Sequence, residues 1–191
     1  GSLIGCLLAK HFLEKHPGEK IVHSSTCSKI LAETIKNFNG QPIKDKVGRS
    51  FIMSRMRKEH AILGIENTGH FMYRDNWYSD SGIITSLIIC EILSAYNKPL
   101  SFLIAPFKKY YKSQEISFPT PNVDRALKKV SSALESLKPI KKETLDGLYY
   151  ELKDYWFSVR ESHTESFVRL VIEGVSKEVV EQKKQQLSQI I

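Results

Sequence analysis

Two arginines, Arg160 and Arg169, flank a short run of hydroxyls, imidazole and carboxylates in "VRESHTESFVR", residues 159–169. Like charges at the mouth of one loop repel each other unless an anion lies between them. The planar guanidinium presents a fork of donors that matches phosphate oxygens better than the point charge of a lysine. Ser162 and Thr164 add hydroxyl donors, His163 adds an imidazole, and loop backbone N–H groups can form a nest for an anion. The chemistry expected of this stretch is capture of a phosphate. The competing reading is a pair of solvated sheet charges offset by Glu161, Glu165 or Glu173.

A second stretch, "GIENTGHFMYRDNWYSDSG" at residues 64–82, places a carboxylate where a ligand is expected. "AILGIE" reads as a buried strand ending at Glu66, and open α/β sheets bind ligands at the carboxyl ends of their strands. Glu66 beside the hydroxyl of Thr68 and the imidazole of His70 could hold the vicinal hydroxyls of a sugar, since a carboxylate accepts two hydrogen bonds. The alternative is an ordinary polar turn with a satisfied His70. Asp75 and Asp80 read as turn and helix-capping residues rather than metal ligands. His11, His16, His23 and His60 show no metal-binding spacing.

The elements that must position these residues follow from periodicity. Residues 3–16 have helical spacing and stop at Pro17-Gly18. "KIVHS" is a short strand, and the helix that follows is expected to be capped by Ser25 or Thr26 and to end at Gly40. "QPIKDKV" is a strand, "SFIMSRMRKEH" a helix, and "IITSLIICEILSAYN" a long apolar helix capped by Ser79 or Asp80. The pattern changes between Phe107 and Lys112. "YYKSQEISF" reads as one strand, "NVDRALKKVSSALESLK" as an amphipathic helix opened by Asn122, "GLYYELKDYWFSVR" and "SFVRLVIEGV" as two strands, and "KEVVEQKKQQLSQII" as a closing helix. The expected fold is α/β plus α+β: a three-layer α/β domain over residues 1–110, then a small α+β domain over 111–191 with helices on one antiparallel sheet. If residues 161–166 connect two antiparallel strands, Arg160 pairs with Phe167 and Ser158 with Arg169, so the two arginines stand diagonally on one face.

The remaining composition narrows the partners. A chain of 191 residues, 41% hydrophobic and 26% charged, is long enough to bury a sizeable core. Its net charge of +7 is spread over many segments, with no basic run interleaved with aromatics, so no nucleic-acid partner is expected. The apolar runs are too short for a membrane span, and no membrane partner is expected. Cys6, Cys27 and Cys90 lie far apart, which suits a reducing cytoplasm better than a zinc site or a disulfide framework. The N-terminus enters a helix in mid-stride with no initiator Met, as a fragment would.

"RESHTESFVR" resembles the phosphate-binding loop of the α-D-phosphohexomutase superfamily, Arg-x-Ser-Asn-Thr-Glu-Pro followed by a second arginine. The match covers Arg160, Ser162, Thr164, Glu165 and Arg169. His163 replaces the usual asparagine, which makes the charge there depend on pH. Ser166 replaces the usual proline, which leaves the loop freer before binding. "ENTGH" resembles the family's sugar-binding Glu-x-Ser-Gly-His loop, "KVGRSFI" its Val-Gly-His/Arg segment, and "YRDNWYSDSGIITSLIICEIL" the phosphomannomutase branch.

The resemblance implies roles. Glu66, Thr68, His70, Gly48 and Arg49 would bind the sugar; Arg160, Ser162, His163, Thr164 and Arg169 would bind phosphate. A phosphohexomutase is implied to have four domains, with a phosphoserine in a Ser-His-Asn-Pro loop and Mg²⁺ in an Asp-Gly-Asp-x-Asp-Arg loop. Neither motif occurs in this chain, which resembles the third and fourth domains only. No catalytic residue and no metal ligand are therefore expected here; Mg²⁺ and a hexose bisphosphate activator would serve the longer parent enzyme. That parent would interconvert hexose 1-phosphate and hexose 6-phosphate through a bisphosphate intermediate. The alternative is a non-catalytic sugar-phosphate-binding protein. Neither the preferred hexose nor the oligomeric state is legible.

Overall fold

A computed structural model of the chain describes residues 1–135, 137–162 and 165–191. Two compact units are present, Gly1–Lys109 and Tyr110–Ile191. The first is built on a four-stranded sheet of order β2-β1-β3-β4. Strands β1 (Lys20–Ser24), β2 (Gln41–Asp45) and β3 (Leu63–Ile65) run parallel, and β4 (Phe71–Tyr73) returns antiparallel to β3. β3 is buried throughout, as parallel strands covered on both faces are.

Alternation along β3 sorts the layers. A Cβ on Gly5 of helix α1 (Ser2–Lys15) would meet Ile65 and Leu31, the latter on α2 (Lys29–Asn37). A Cβ on Gly64 would meet Met56 and Ile52 of α3 (Arg49–Glu59). Neighbouring strand residues point to opposite faces, so α1 and α2 cover one side and α3 the other. The expected three-layer α/β arrangement is present. Helix α4 (Gly82–Tyr96) is tied to β4 by the hydroxyls of Tyr73 and Thr85, 2.6 Å apart, and leaves Ile83 and Leu87 exposed. A short helix α5 (Leu100–Ile104) follows. Among the described residues no single helix is long and apolar enough to cross a membrane.

Two expected caps move. Ser28, not Ser25 or Thr26, caps α2 by accepting from the Ile30 N–H, and Ser81, not Ser79 or Asp80, caps α4 by accepting from the Ile84 N–H. In both stretches several hydroxyl or carboxylate side chains compete. The one whose backbone is still extended as the first helical turn closes becomes the cap.

The second unit holds one antiparallel sheet with two helices. Strands β7 (Lys141–Glu143), β8 (Leu148–Glu151), β9 (Tyr155–Glu161) and β10 (Phe167–Gly174) lie in that order, and β5 (Tyr111–Lys112) and β6 (Ile116–Pro119) both pair with the far edge of β10. Phe157, Val159, Val168, Leu170 and Ile172 form its core with Val130 of α6 (Val123–Ala133) and Val180 and Leu187 of α7 (Lys177–Ile190). Asn122 caps α6 as expected, accepting from the Arg125 N–H at 2.9 Å.

The stretch read as one strand from Gly147 to Arg160 is two, β8 and β9, because Lys153-Asp154 turn the chain and the Leu152 N–H closes onto the Tyr155 carbonyl at 2.8 Å. The strand expected over 110–118 is likewise two. Lys112 pairs with Glu173 and Ile116 with Leu170, so three residues of one strand face two of the other. That is a β-bulge, which interrupts the ladder.

Candidate functional site

The first cluster forms where β3 ends. Glu66 is buried, and its backbone N–H donates to the His70 carbonyl at 2.9 Å while the Gly69 N–H donates to the Glu66 carbonyl at 3.1 Å. Gly69 closes this loop at φ 96°, where a side chain would be strained. The Glu66 Oε1 atom accepts from the Gly48 N–H at 2.9 Å, which joins the loop to the N-terminus of α3. Oε2 carries no hydrogen bond among the described residues.

Beside it, the His70 Nδ1–H donates to Asp80 Oδ2 at 2.9 Å, and Arg49 Nη1 donates to Asp80 Oδ1 at 3.4 Å. Burial works against ionisation of Asp80, but the His70 hydrogen bond and the Arg49 charge outweigh it and hold its carboxyl below the usual range. Gly48, Arg49, Glu66 and His70 thus come together, with Thr68 exposed on the same loop. Asp80, expected to be a cap, instead orients two of them. An open depression of about 490 Å³ lies alongside, lined by Arg49, Ser50, Met53, Arg57, Ser79 and Asp80.

The second cluster sits at the loop end of β9 and β10. Arg160 and Arg169 are directly opposed, not diagonal, because Val168 pairs with Glu161 and the register is offset from the expected one. The reason is loop length: the Ser162 N–H still bonds to the Phe167 carbonyl at 2.9 Å, so the hairpin closes on fewer residues than assumed. Direct opposition tightens the electrostatic problem.

Carboxylates meet part of it. Arg160 Nη2 donates to Glu115 Oε2 at 2.8 Å, and Arg169 Nη1 donates to Glu115 Oε1 at 2.7 Å. Arg169 Nη2 also donates to Glu165 at 3.1 Å, so one of the three offsetting glutamates expected is in place. Glu161 contributes its carbonyl, which accepts from Arg160 Nη1 at 3.1 Å, and Glu173 is bonded to Trp156 instead. Glu115 reaches the arginines from the bulge just before β6, two residues ahead of Ser117, which pairs with Arg169. Burial raises the Glu115 carboxyl, but the charges and hydrogen bonds of Arg160 and Arg169 bring it below the ordinary carboxylate value.

The cluster also holds unsatisfied donors. Arg160 Nε, Arg169 Nε and the hydroxyl of Ser162 are buried with no hydrogen-bond partner among the described residues. Orphaned buried polar groups are uncommon and call for a ligand or a function, and here two of the three are obligate donors. His163 and Thr164 lie outside the described residues. Sequence reasoning missed Glu115 and the pairing role of Asp80; neither is periodic with the residues it serves.

Residues 1–110 match the family model described as phosphoglucomutase/phosphomannomutase, alpha/beta/alpha domain III. The chain belongs to this family. Over all 191 residues it is 31% identical to a phosphomannomutase of Methanocaldococcus jannaschii, and over 175 residues, 91% of the chain, it is 36% identical to one from Escherichia coli. The segments matched are 42% and 38% of those proteins, so the chain spans about two fifths of the length of these curated relatives. The crystal structure of a phosphoglucomutase/phosphomannomutase family protein from Burkholderia thailandensis superposes on 99% of the chain with a TM-score of 0.87 at 25% identity, using 40% of that protein. The fold of this family therefore extends through the second unit as well as the first.

Proposed function

We propose that this chain is the sugar- and phosphate-recognising part of a phosphohexomutase that interconverts hexose 1-phosphates and hexose 6-phosphates through a phosphoserine and a hexose bisphosphate. The observation that carries the reading is the pair of opposed arginines with three buried polar groups that find no partner among the described residues at one hairpin end. Family membership supports the reaction class.

In this reading Arg160, Arg169 and Ser162 hold the phosphate that is not reacting, with His163 and Thr164 assigned to it by resemblance alone. Glu66 Oε2 and the Thr68 hydroxyl take sugar hydroxyls, and the Gly48 N–H on Oε1 keeps the carboxylate turned toward them. Arg49, held by Asp80, supplies donors beside the sugar, and His70, whose Nδ1–H is taken by the same carboxylate, presents its Nε2 atom there. Phosphoryl transfer depends on positioning and on stabilising charge, and these residues contribute the positioning.

One structural neighbour, an N-acetylphosphoglucosamine mutase of Aspergillus fumigatus, was crystallised with GlcNAc-6P and magnesium, and another structure of that enzyme with glucose 1,6-bisphosphate. Among the described residues of this chain no three His, Cys, Asp or Glu side chains gather in one place. No step is assigned to Mg²⁺. We place its ligands, the phosphoserine and the response to a bisphosphate activator in the region of the longer relatives that this chain does not span. A cytoplasmic setting belongs to the same proposal and rests on the dispersed cysteines.

The chain alone, given Mg²⁺ and a hexose bisphosphate, is expected to show no mutase turnover. Mannose 6-phosphate should nevertheless shift the backbone amides of Arg160, Glu161, Ser162 and Arg169 with a dissociation constant on the order of millimolar, while free mannose leaves them unmoved. Turnover by a preparation free of host mutase, or equal shifts with free mannose, defeats the reading.

Glu66→Gln, introduced into a protein that joins this chain to the missing region, should lower kcat/KM for hexose phosphate by about tenfold to a hundredfold. The substitution keeps the shape but turns one acceptor oxygen into a donor. Unchanged kinetics would leave Glu66 a turn residue.

A further inference from the structure

The carboxylates around the two arginines are held differently. Glu115 spends both oxygens, one on each guanidinium, at 2.8 and 2.7 Å, and comes from outside the loop, beside β10. Glu165 spends one oxygen on Arg169 at 3.1 Å, its one partner among the described residues, and its side chain is 55% exposed against 31% for Glu115. Two guanidinium and two carboxylate charges cancel as the cluster stands, so a phosphate dianion entering it requires one carboxylate to leave. An exposed pair contributes little, whereas a buried arginine that loses its counter-charge is strongly disfavoured. Arg160 is the buried one, with 5% of its side chain exposed, and Glu115 is its only carboxylate partner among the described residues.

We propose that Glu115 is a positioning residue, the fixed counter-charge that holds Arg160 and Arg169 side by side, and that Glu165 is the exchangeable carboxylate whose place on Arg169 a phosphate takes. The inference rests on the phosphate-clamp reading above and adds two residues with opposite effects on it. Without Glu115 the directly opposed arginines repel and turn apart, so the forked donors no longer converge. Without the Glu165 charge, phosphate meets no competitor on Arg169 Nη2. A purely structural role for either glutamate does not produce effects of opposite sign.

Inorganic phosphate, titrated into the 191-residue chain and followed by the arginine Nε–H resonances and the Arg160 and Arg169 backbone amides, tests this. Glu165→Gln is expected to tighten phosphate binding by about two- to fivefold. Glu115→Gln is expected to weaken it by about tenfold or more, since an amide accepts from one arginine and turns N–H groups toward the other. Glu115→Asp retains the charge and guards against loss of folding; its shorter arm cannot span both guanidiniums, and it too should bind phosphate less well. Wild-type affinity in both Glu115 variants, or weaker binding in Glu165→Gln, overturns the inference. A wild-type chain that ignores phosphate removes the clamp reading along with it; a responsive wild type with indifferent variants removes this inference alone.

Discussion

Gly147→Ala is expected to destabilise the second unit by about 3 kcal/mol or more, from a single methyl group placed behind the arginine cluster. Gly147 has φ +80°, and a Cβ there would lie 2.4 Å from the Val159 carbonyl oxygen and 2.7 Å from the Arg160 Cα. Both neighbours are backbone of the central strand β9, so no side chain can swing aside. The left-handed conformation costs about 1–3 kcal/mol for a residue with a side chain. Overpacking against a fixed strand adds about 1–3 kcal/mol. Urea denaturation followed by Trp156 fluorescence measures the change, because that indole is buried in the same sheet. The variant should also lose its response to phosphate, since relief of the clash moves the strand that carries Arg160. A stability change below about 1 kcal/mol would mean that the close approach is not present in solution.

Arg160→Ala should abolish the phosphate-dependent shifts, a loss of well over tenfold in affinity. Its guanidinium has the Nη1 atom on the Glu161 carbonyl, Nη2 on Glu115 and Nε without a partner among the described residues, so the more deeply buried of the two arginines disappears with it. Folding should survive, because Phe157 and Val159 fill the core from the opposite face of β9. Arg160→Lys should recover little. A lysine supplies the charge but not a planar fork able to bond Glu115 and a phosphate together. The measurement is the same titration, with the near-ultraviolet circular dichroism of the aromatic residues as the control for folding. Shifts that persist in Arg160→Ala would remove this arginine from the clamp.

Much of the frame was legible because it depends on local pattern. Strand β3 declares itself by a run of buried apolar residues, and the carboxylate at its end falls where parallel sheets bind ligands. Asn122 and the amphipathic spacing after it give α6, capped by Asn122 as its place just before the apolar spacing predicts. Where Ser24, Ser25, Thr26 and Ser28 compete, local pattern gives a helix but not its first residue. The turn at Lys153-Asp154 was hidden by apolar and aromatic residues on both sides, which read as one continuous strand.

By itself the sequence determined that two arginines flank one polar loop, that Glu66 ends a buried strand, and that helices alternate with strands before an antiparallel tail. Only the tertiary structure decided what those charges meet. Glu115 lies 45 residues from Arg160 and 54 from Arg169, and Asp80 reaches back 31 residues to Arg49. Such partners are set by which strand lies beside which and by a register that one residue of loop length changes. Periodicity reports the face a side chain occupies. It carries no information about the neighbour across the ladder, and an ion pair depends on that neighbour to within about an ångström.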